Sequence, residues 1–283
     1  MQYIDLHTHS NFSDGTDSPA ELIENAVAAG LSAVALTDHD TTSGIEDALA
    51  YMHENKPPIR FIPGTELSAG YKDGDIHIVG LFIRHDDPAF KKITDLMVER
   101  RKQRNYEMAE NFRKAGIPVT IEALTSNNPD MVVTRAHFAR FLIENGTVKD
   151  VSEAFEKYLD VSSPFYVPRK YITPEEAVST ILDAGGIPIF AHPMHYKLKN
   201  EELEKLIERL IDAGLRGIEV KYSNHTEEME EYVAGLAKKY NLLPSGGSDY
   251  HGTNKPAISI GTGRGNLAVP YEYLDKLESS LKQ

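Results

Sequence analysis

Histidine and carboxylate side chains recur along this chain at or just after the ends of apolar segments. The first two, His7 and His9, directly follow the apolar run from Tyr3 to Leu6. Histidines at i and i+2 of an extended strand point to one face, so both imidazoles can bind the same metal ion. The later candidates are His39, Glu66, His77, His137, His192, Asp249 and His251. Seven of the eleven histidines therefore fall at positions suited to one shared site.

The ligand types indicate a site for more than one divalent ion. The chain has no cysteine, so bound metal must be held by nitrogen and oxygen ligands. Mn²⁺, Fe²⁺ and Zn²⁺ accept imidazole and carboxylate together, and a site of several ions needs carboxylates that bridge. Glu66 is the natural bridge, predicted to lie in a turn after a strand. With Asp14 and the pair Asp249 and His251, the set predicts two or three ions, with Mn²⁺ preferred and Fe²⁺ or Zn²⁺ as alternatives.

Several of these residues also have simpler structural explanations. Taken alone, His77 or His137 fits an ordinary surface or core histidine. Asp14 precedes Gly15, and Asp-Gly favours tight turns. Asp38 precedes His39 and either binds a metal ion directly or orients its neighbours. The remaining histidines have no comparable group of ligands around them: His53, His85, His195 and His225.

Composition limits the classes of protein. A chain of 283 residues, 41% hydrophobic and 26% charged, can bury a core the size of one barrel, with or without an insertion. The net charge of −13 argues against broad binding of long nucleic acid, including duplex DNA. Polar residues interrupt the early apolar run, and no stretch approaches the ~20 apolar residues of a membrane span. We therefore expect a cytoplasmic protein with no membrane partner.

Short apolar strands alternate with amphipathic helices, which predicts an α/β fold, a seven-stranded (β/α) barrel with a helical insertion. The predicted strands are Tyr3 to Leu6, Ala33 to Leu36, Arg60 to Ile62, Ile76 to Ile83, Ile187 to Phe190, Gly217 to Val220 and Leu242 to Pro244. Helix starts are predicted at Ser18-Pro19 and Thr173-Pro174, each within a capping-box pattern. The expected domains are a barrel, 1–87 with 166–283, and an insertion, 88–165. The insertion is predicted to hold helices at 88–116, 134–145 and 151–159, with a loop at 126–129.

The order of these residues resembles the PHP (polymerase and histidinol phosphatase) family of metal-dependent phosphoesterases. The resemblance covers nearly the whole chain and includes Asp-Leu-His-Thr-His-Ser at 5–10 and Leu-Thr-Asp-His-Asp-Thr-Thr-Ser-Gly at 36–44. Together with Thr-Arg-Ala-His-Phe-Ala-Arg-Phe-Leu at 134–142, these motifs resemble the branch of bacterial nucleoside 3′,5′-bisphosphate phosphatases and 5′-to-3′ exoribonucleases. The insertion is matched only loosely. Members of the family have a distorted seven-stranded barrel and a trinuclear metal centre.

The resemblance implies a role for each candidate. His7, His9, Glu66 and Asp249 would hold one ion. Glu66 would bridge to a second ion held by His77 and His137, and the third ion would be held by Asp14, His39 and His251. Arg135 and His192 would face the substrate phosphate, with Asp38 as a further candidate for catalysis. The alternative for Arg135 is a helix cap or a surface salt bridge.

The implied reaction is attack of a metal-bound hydroxide on a phosphate ester, with inorganic phosphate as product. The expected substrate is a nucleoside 3′,5′-bisphosphate or a short 5′-phosphorylated RNA, ahead of 5′-AMP and histidinol phosphate. Arg104, within the basic stretch Arg100 to Arg104, and Arg169 are candidates for binding it, although the stretch also fits a solvated helix face. Two other classes compete. An amidohydrolase-like enzyme would use a bridging lysine where Glu66 stands, and a non-catalytic PHP module would have lost ligands.

Overall fold

The computed structural model describes residues 2–125, 128 and 131–281, and within them eight strands form one sheet. The strands are β1 (Tyr3–Asp5), β2 (Ala33–Leu36), β3 (Arg60–Tyr71), β4 (Gly74–Leu81), β5 (Ile187–Phe190), β6 (Gly217–Tyr222), β7 (Leu243–Gly247) and β8 (Val269–Pro270). Their order is β7-β6-β5-β4-β3-β2-β1-β8. The backbone N–H of Leu6 donates to the carbonyl of Gly246 at 3.2 Å, which brings β1 beside β7. The sheet is therefore a nearly closed barrel, as predicted.

The barrel is distorted because β4 runs antiparallel to both β3 and β5, whereas the pairs β1–β2, β2–β3, β5–β6 and β6–β7 are parallel. The prediction that β3 ends at Ile62 was wrong. Gly64 allows the strand to continue, since a Cβ there would lie 2.7 Å from the carbonyl oxygen of Gly80 on β4. Glu66 consequently lies within a strand, in register with Val79, and not in a turn. The short β8 was also not predicted.

Helices cover the outside of the barrel and fill the segment between β4 and β5. They are α1 (Pro19–Ala28), α2 (Gly44–Asn55), α3 (Pro88–Lys114), α4 (Ile121–Leu124), α5 (Arg135–Glu144), α6 (Val151–Ala154), α7 (Pro174–Asp183), α8 (Asn200–Asp212), α9 (Glu227–Lys239) and α10 (Tyr271–Ser280). Both predicted capping boxes are present, at Ser18 and at Thr173. Among the described helices, none is long and apolar enough to span a membrane.

The helices from the second half of α3 to α6 have a hydrophobic cluster of their own. Phe112 of α3 and Phe138 of α5 are fully buried in it, and a π-helical turn, Phe155–Leu159, follows α6. The first half of α3 packs differently, because Phe90 and Met97 belong to the cluster around the barrel. The predicted helical segment is confirmed, and its division from the barrel as a separate domain stays a prediction. The predicted loop at 126–129 lies outside the described residues except for Asn128.

Candidate metal centre

Glu66 is fully buried at the centre of a group of imidazoles. Its carboxylate oxygens lie 2.9–3.4 Å from ring nitrogens of His7, His9, His39, His77 and His192. Burial alone would raise the pKa of Glu66, but the charges of His77, His7 and His39 and a hydrogen bond from His192 hold it well below its usual range. Because strands β3 and β4 and the segments after β1, β2 and β5 each contribute one or two of the residues, the centre forms only when the barrel closes.

Two further carboxylates extend the cluster. Asp249 Oδ1 lies 3.4 Å from His9 Nε2, while its Oδ2 accepts hydrogen bonds from Tyr222 at 2.9 Å and from Lys255 at 2.7 Å. Asp249 holds a left-handed backbone conformation with φ of 57° directly after β7. Asp14 Oδ1 lies 3.1 Å from His251 Nε2. One oxygen of Asp249 thus faces the imidazoles while the other is held in place.

The donor atoms fit divalent cations. Among the described residues, buried polar atoms without a hydrogen-bond partner include His7 Nε2, His9 Nε2, His39 Nδ1, Asp14 Oδ1 and Glu66 Oε2. Leaving such atoms unpaired is costly, so their convergence indicates that cations complete them. Three sets place one ligand atom per residue within 4.8 Å of the others: His9, Asp14, His39 and His251; His7, His9 and Glu66; and His39, Glu66 and His77.

In several of these rings, one nitrogen faces the cluster and the other lies close to a hydrogen-bond acceptor that orients the ring. His7 Nδ1 lies 3.0 Å from Glu219, His77 Nε2 lies 3.5 Å from Asp75, and His251 Nδ1 lies 2.8 Å from the carbonyl of Asp249. A proton on the nitrogen that faces such an acceptor leaves the lone pair of the other nitrogen directed into the cluster. The same pattern is typical of metal-binding histidines.

His192 lies with Glu66 and His77, and His137 does not, which differs from the arrangement implied by the resemblance. His192 Nε2 is 2.9 Å from Glu66, whereas His137 has no contact with Glu66 within 4 Å among the described residues. The backbone N–H of Thr134 donates to His137 Nδ1 at 3.0 Å as part of the α5 capping box. Burial lowers the pKa of His137 to about 4, and a neutral ring whose Nδ1 accepts this hydrogen bond carries its proton on Nε2, which has no hydrogen-bond partner among the described residues. Neither nitrogen then offers a lone pair to an ion.

Asp38 positions the loop between His9 and Asp14. Its carboxylate accepts hydrogen bonds from the Ser10 backbone at 2.8 Å, from Ser10 Oγ at 2.6 Å and from Ser13 Oγ at 2.6 Å. Burial raises the pKa of Asp38. With its oxygens accepting these hydrogen bonds, Asp38 orients its neighbours, which is one of the two roles expected for it, and a catalytic role for Asp38 stays a prediction.

A cavity of about 610 Å³ opens from the metal centre toward α5. It is bordered on the metal side by Asp14, His39, His77 and His251. Its cationic lining residues are Arg101, Arg104, Arg135, Arg140 and Lys255. A concave, positively charged space next to clustered ligands fits a small anionic substrate.

Arg104 is the unusual member of this lining. It is buried, and no carboxylate of the described residues lies within 4 Å of its guanidinium, whose Nε has no hydrogen-bond partner. Arg101 and Arg169, in contrast, both bind Asp40, Arg169 at 2.8 Å. Burial, followed by repulsion from Arg101 and Arg169, lowers the pKa of Arg104 to about 9. Arg104 therefore carries a buried positive charge that lacks a protein anion.

Arg135 and Arg169 have different positions relative to the cavity. Arg135 lines it, and its nearest carboxylate oxygen among the described residues is that of Asp75, at 3.9 Å. Arg169 lies behind the lining, with its guanidinium 4.2 Å from the centre of the Tyr171 ring. The structure thus brings Arg104 and Arg135 to the predicted site and leaves Arg169 in a supporting position.

Glu219, Asp75 and Lys255 were missed in the sequence. Glu219 stands between Ile218 and Val220 in strand β6, and a carboxylate between two apolar strand residues is a signal that could have identified it. It accepts from His7 Nδ1 at 3.0 Å and from the His192 backbone at 2.7 Å. Its partners lie 212 and 27 residues away, so spacing along the chain does not show them.

We expect Glu219→Gln to weaken metal binding roughly 10- to 100-fold while the protein stays folded. The amide keeps the shape of the side chain but has one acceptor oxygen for two donors, so His7 loses its fixed orientation. Titration calorimetry with Mn²⁺ on the metal-free protein measures the change. Glu228→Gln, on the exposed face of α9, is the matched control. An unchanged dissociation constant for Glu219→Gln would show that Glu219 does not orient a ligand.

Comparison with known proteins gives concordant matches. The PHP domain family matches residues 5–167. A 3′,5′-nucleoside bisphosphate phosphatase of Chromobacterium violaceum is 36% identical over 263 residues, covering 92% of this chain and 91% of the relative. A 5′-3′ exoribonuclease, Rnm, of Escherichia coli is 35% identical and covers 87% of this chain and 84% of its own length. A solved structure described as an amidohydrolase from Chromobacterium violaceum, with bound sulfate and no metal, superposes with a TM-score of 0.87 at 35% identity, covering 98% of this chain and 96% of that chain.

Proposed function

The chain belongs to the PHP domain family, and from that premise we propose that it is a metal-dependent phosphoesterase acting on nucleotides. The preferred reaction is removal of the 3′-phosphate of nucleoside 3′,5′-bisphosphates, with short 5′-phosphorylated RNA as a related substrate. The observation that carries the proposal is a buried carboxylate, Glu66, ringed by imidazoles at the end of an arginine-lined cavity. Inorganic phosphate is the expected product.

The ligands divide into three groups, of which the first two share Glu66. His7, His9, Glu66 and Asp249 suit one ion, while Glu66, His77 and His192 suit a second. Asp14, His39 and His251 suit a third. The assignment of His192 in place of His137 rests on its 2.9 Å contact with Glu66. Two or three ions of Mn²⁺, Fe²⁺ or Zn²⁺ would be held, with Mn²⁺ preferred.

Divalent ions bound there would supply a hydroxide nucleophile near neutral pH and stabilise charge on the phosphate oxygens. The protein side chains bind and orient the substrate. Arg135 offers planar paired donors to a phosphate beside the metal ligands. Lys255, held 2.7 Å from Asp249 at the cavity wall, adds a second positive charge. Burial of the ligands excludes bulk water from all but the cavity side.

Arg104 accounts for a second phosphate. A buried guanidinium without an acid partner has a high desolvation cost, which an anionic ligand in the cavity would offset. Arg104 lines the same cavity as several of the metal ligands. It can therefore bind the 5′-phosphate of the substrate while the 3′-phosphate is at the metal centre. A substrate with one phosphate would leave one of these positions empty.

We expect Arg104→Met to lower kcat/KM for nucleoside 3′,5′-bisphosphates roughly 10- to 100-fold, the value of one hydrogen-bonded charge, and to leave 5′-AMP hydrolysis nearly unchanged. The same change should raise Tm, because it removes an unpaired buried charge. Steady-state kinetics and thermal unfolding measure both effects. Lys102→Met, on the exposed face of α3, is the control. Equal losses on both substrates would contradict a site for the second phosphate.

A phosphate-release panel with Mn²⁺ tests the proposed function. The substrates are nucleoside 3′,5′-bisphosphates, 5′-AMP, histidinol phosphate and short 5′-phosphorylated RNA. The proposal predicts the highest kcat/KM for the bisphosphates. A higher value for histidinol phosphate than for any nucleotide would overturn it.

An amidohydrolase is the second candidate, because one similar structure carries that description. That class would place a bridging lysine at the centre, and here the position holds Glu66. The nearest lysine contact to a ligand among the described residues is Lys255 on Asp249, at the outer side of the cluster. Adding an N-acyl amino acid to the panel separates the classes, and amide hydrolysis without phosphate release would favour this candidate.

The expected setting is the cytoplasm, with a small nucleotide or short oligoribonucleotide as the partner. The charge of −13 argues against long duplex DNA as a substrate. Poor cleavage of such DNA in the same assay is the corresponding expectation.

A further inference from the structure

The cavity changes character along α5, from charged at the metal centre to apolar at its far end. Ala136, Ala139 and Ile143 line the cavity, and their spacing of three and four residues places them on one face of the helix. The side chain of Phe155, from the π-helical turn, lines the same space. We call the space between this face of α5 and Phe155 the apolar slot.

The slot has the length of a nucleoside. Thr134, at the start of α5, donates to Asp14 Oδ2 at 2.9 Å, which fixes this end of the helix to the metal centre. Ile143 lies nine residues further along, roughly 13 Å at the helical rise per residue. A phosphate at the metal ligands followed by a ribose and a base extends over a comparable distance. The apolar end of the slot is therefore where the base would lie.

The side chains of the slot favour stacking over hydrogen bonding. The two alanines leave a shallow floor, and the half-buried Phe155 provides an aromatic face. The charged lining residues nearest this face are Arg140, Glu144 and Arg135, whose guanidinium lies 5.8 Å from the Phe155 ring centre, and the Glu144 side chain is 69% exposed. Stacking is tolerant of base identity because every base has a π-face.

We propose that the apolar slot binds the nucleobase of the substrate by stacking against Phe155, and that it accepts all four bases. This inference rests on the proposed function, since it concerns the nucleoside part of the same substrate. It adds a specificity determinant that lies in the helical segment and outside the metal ligands.

Phe155 also packs against the hydrophobic cluster of this segment, so a loss of stability must be separated from a loss of binding. Phe155→Leu keeps an apolar side chain and removes the aromatic face. Phe165→Leu is the matched control, because Phe165 belongs to the same cluster, stacks on Phe112 at 4.5 Å and does not line the cavity. Ala136→Leu is a second variant that fills the slot from the opposite side.

The experiment measures kcat/KM for the four nucleoside 3′,5′-bisphosphates and for ribose 3,5-bisphosphate, which has no base. The wild-type protein is expected to hydrolyse the four nucleotides within about tenfold of one another. Phe155→Leu should lower kcat/KM for the nucleotides by roughly tenfold or more and leave the base-free ester unchanged. Ala136→Leu should show the same selectivity, and it decides the question if Phe155→Leu does not fold. Phe165→Leu should match the wild type.

Three results would overturn the inference while leaving the proposed function intact: equal losses for nucleotides and the base-free ester, no loss in a folded variant, or a wild-type preference above a hundredfold for one base. The guanidinium of Arg135 lies 5.8 Å from the Phe155 ring centre. If a variant displaced Arg135, kcat/KM would fall equally for all five esters, which is the first of these results. If the wild type releases phosphate from none of the five esters, the proposed function itself fails.

Discussion

Glu66→Gln should abolish most of the activity and remove at least one metal ion per chain. Glu66 lies within 3.4 Å of five imidazoles and is fully buried, so no other side chain can take its place as a bridge. The amide has the same size, which avoids a cavity, but it is neutral and offers one acceptor oxygen. We expect kcat/KM to fall by more than about 10³, beyond the loss typical of a single stabilising donor.

Elemental analysis and kinetics on Mn²⁺-loaded protein measure both effects of Glu66→Gln. Glu46→Gln, on the exposed side of α2, controls for a change of net charge. Full metal content with near-wild-type turnover would show that Glu66 does not bridge.

Arg135→Ala should keep its metal ions and its fold and lose roughly 10² to 10³ in kcat/KM. Arg135 begins α5, lines the cavity beside the metal ligands and has its nearest described carboxylate oxygen 3.9 Å away. A cation in that position is repelled by bound metal ions unless an anion lies between them, and the substrate phosphate is that anion. Loss of the Arg135 side chain is therefore expected to destabilise the charged transition state more than the fold.

Metal analysis and steady-state kinetics on the same preparation decide the role of Arg135. Arg113→Ala, exposed at the end of α3 and paired with Glu110, is the control. Loss of metal would make Arg135 structural, and unchanged kinetics would place it outside the site.

The sequence predicted the barrel and many of the clustered ligands because both depend on local patterns. His7 and His9 follow β1, while Asp249 and His251 follow β7, and closure of the barrel brings these segments together. Residue types and apolar periodicity were sufficient for these conclusions. The exact extent of β3 was not predictable, because Gly64 normally suggests a turn, and its role in strand pairing depends on Gly80.

The errors at the site arise where a role depends on contacts distant in sequence. His137 and His192 are both histidines near the ends of apolar runs. They are distinguished by the contact of His192 Nε2 with Glu66 at 2.9 Å and by the Thr134 N–H that donates to His137 Nδ1. Asp38 is followed by His39, yet its oxygens are taken by Ser10 and Ser13, more than twenty residues earlier. Spacing identifies residues capable of chemistry but not the donors that occupy them.

In the basic stretch on α3, too, the sequence identified the residues but not their contacts. Arg100 to Arg104 could be identified as a cluster, but whether it faced solvent was open. The structure buries Arg101 and Arg104 and pairs only Arg101 with an acid, Asp40, among the described residues. Burial and the missing partner, neither visible in the sequence, are the observations on which the proposed anion site at Arg104 rests.

The most direct test restores metal stepwise to chelator-treated protein and follows phosphate release from a nucleoside 3′,5′-bisphosphate alongside bound Mn²⁺ per chain. The overlapping ligand groups around Glu66 predict no activity without metal, little with one ion, and a plateau reached only at two or three ions per chain. Full activity in the metal-free protein, or a plateau at a single bound ion, would contradict a multi-ion phosphoesterase centre.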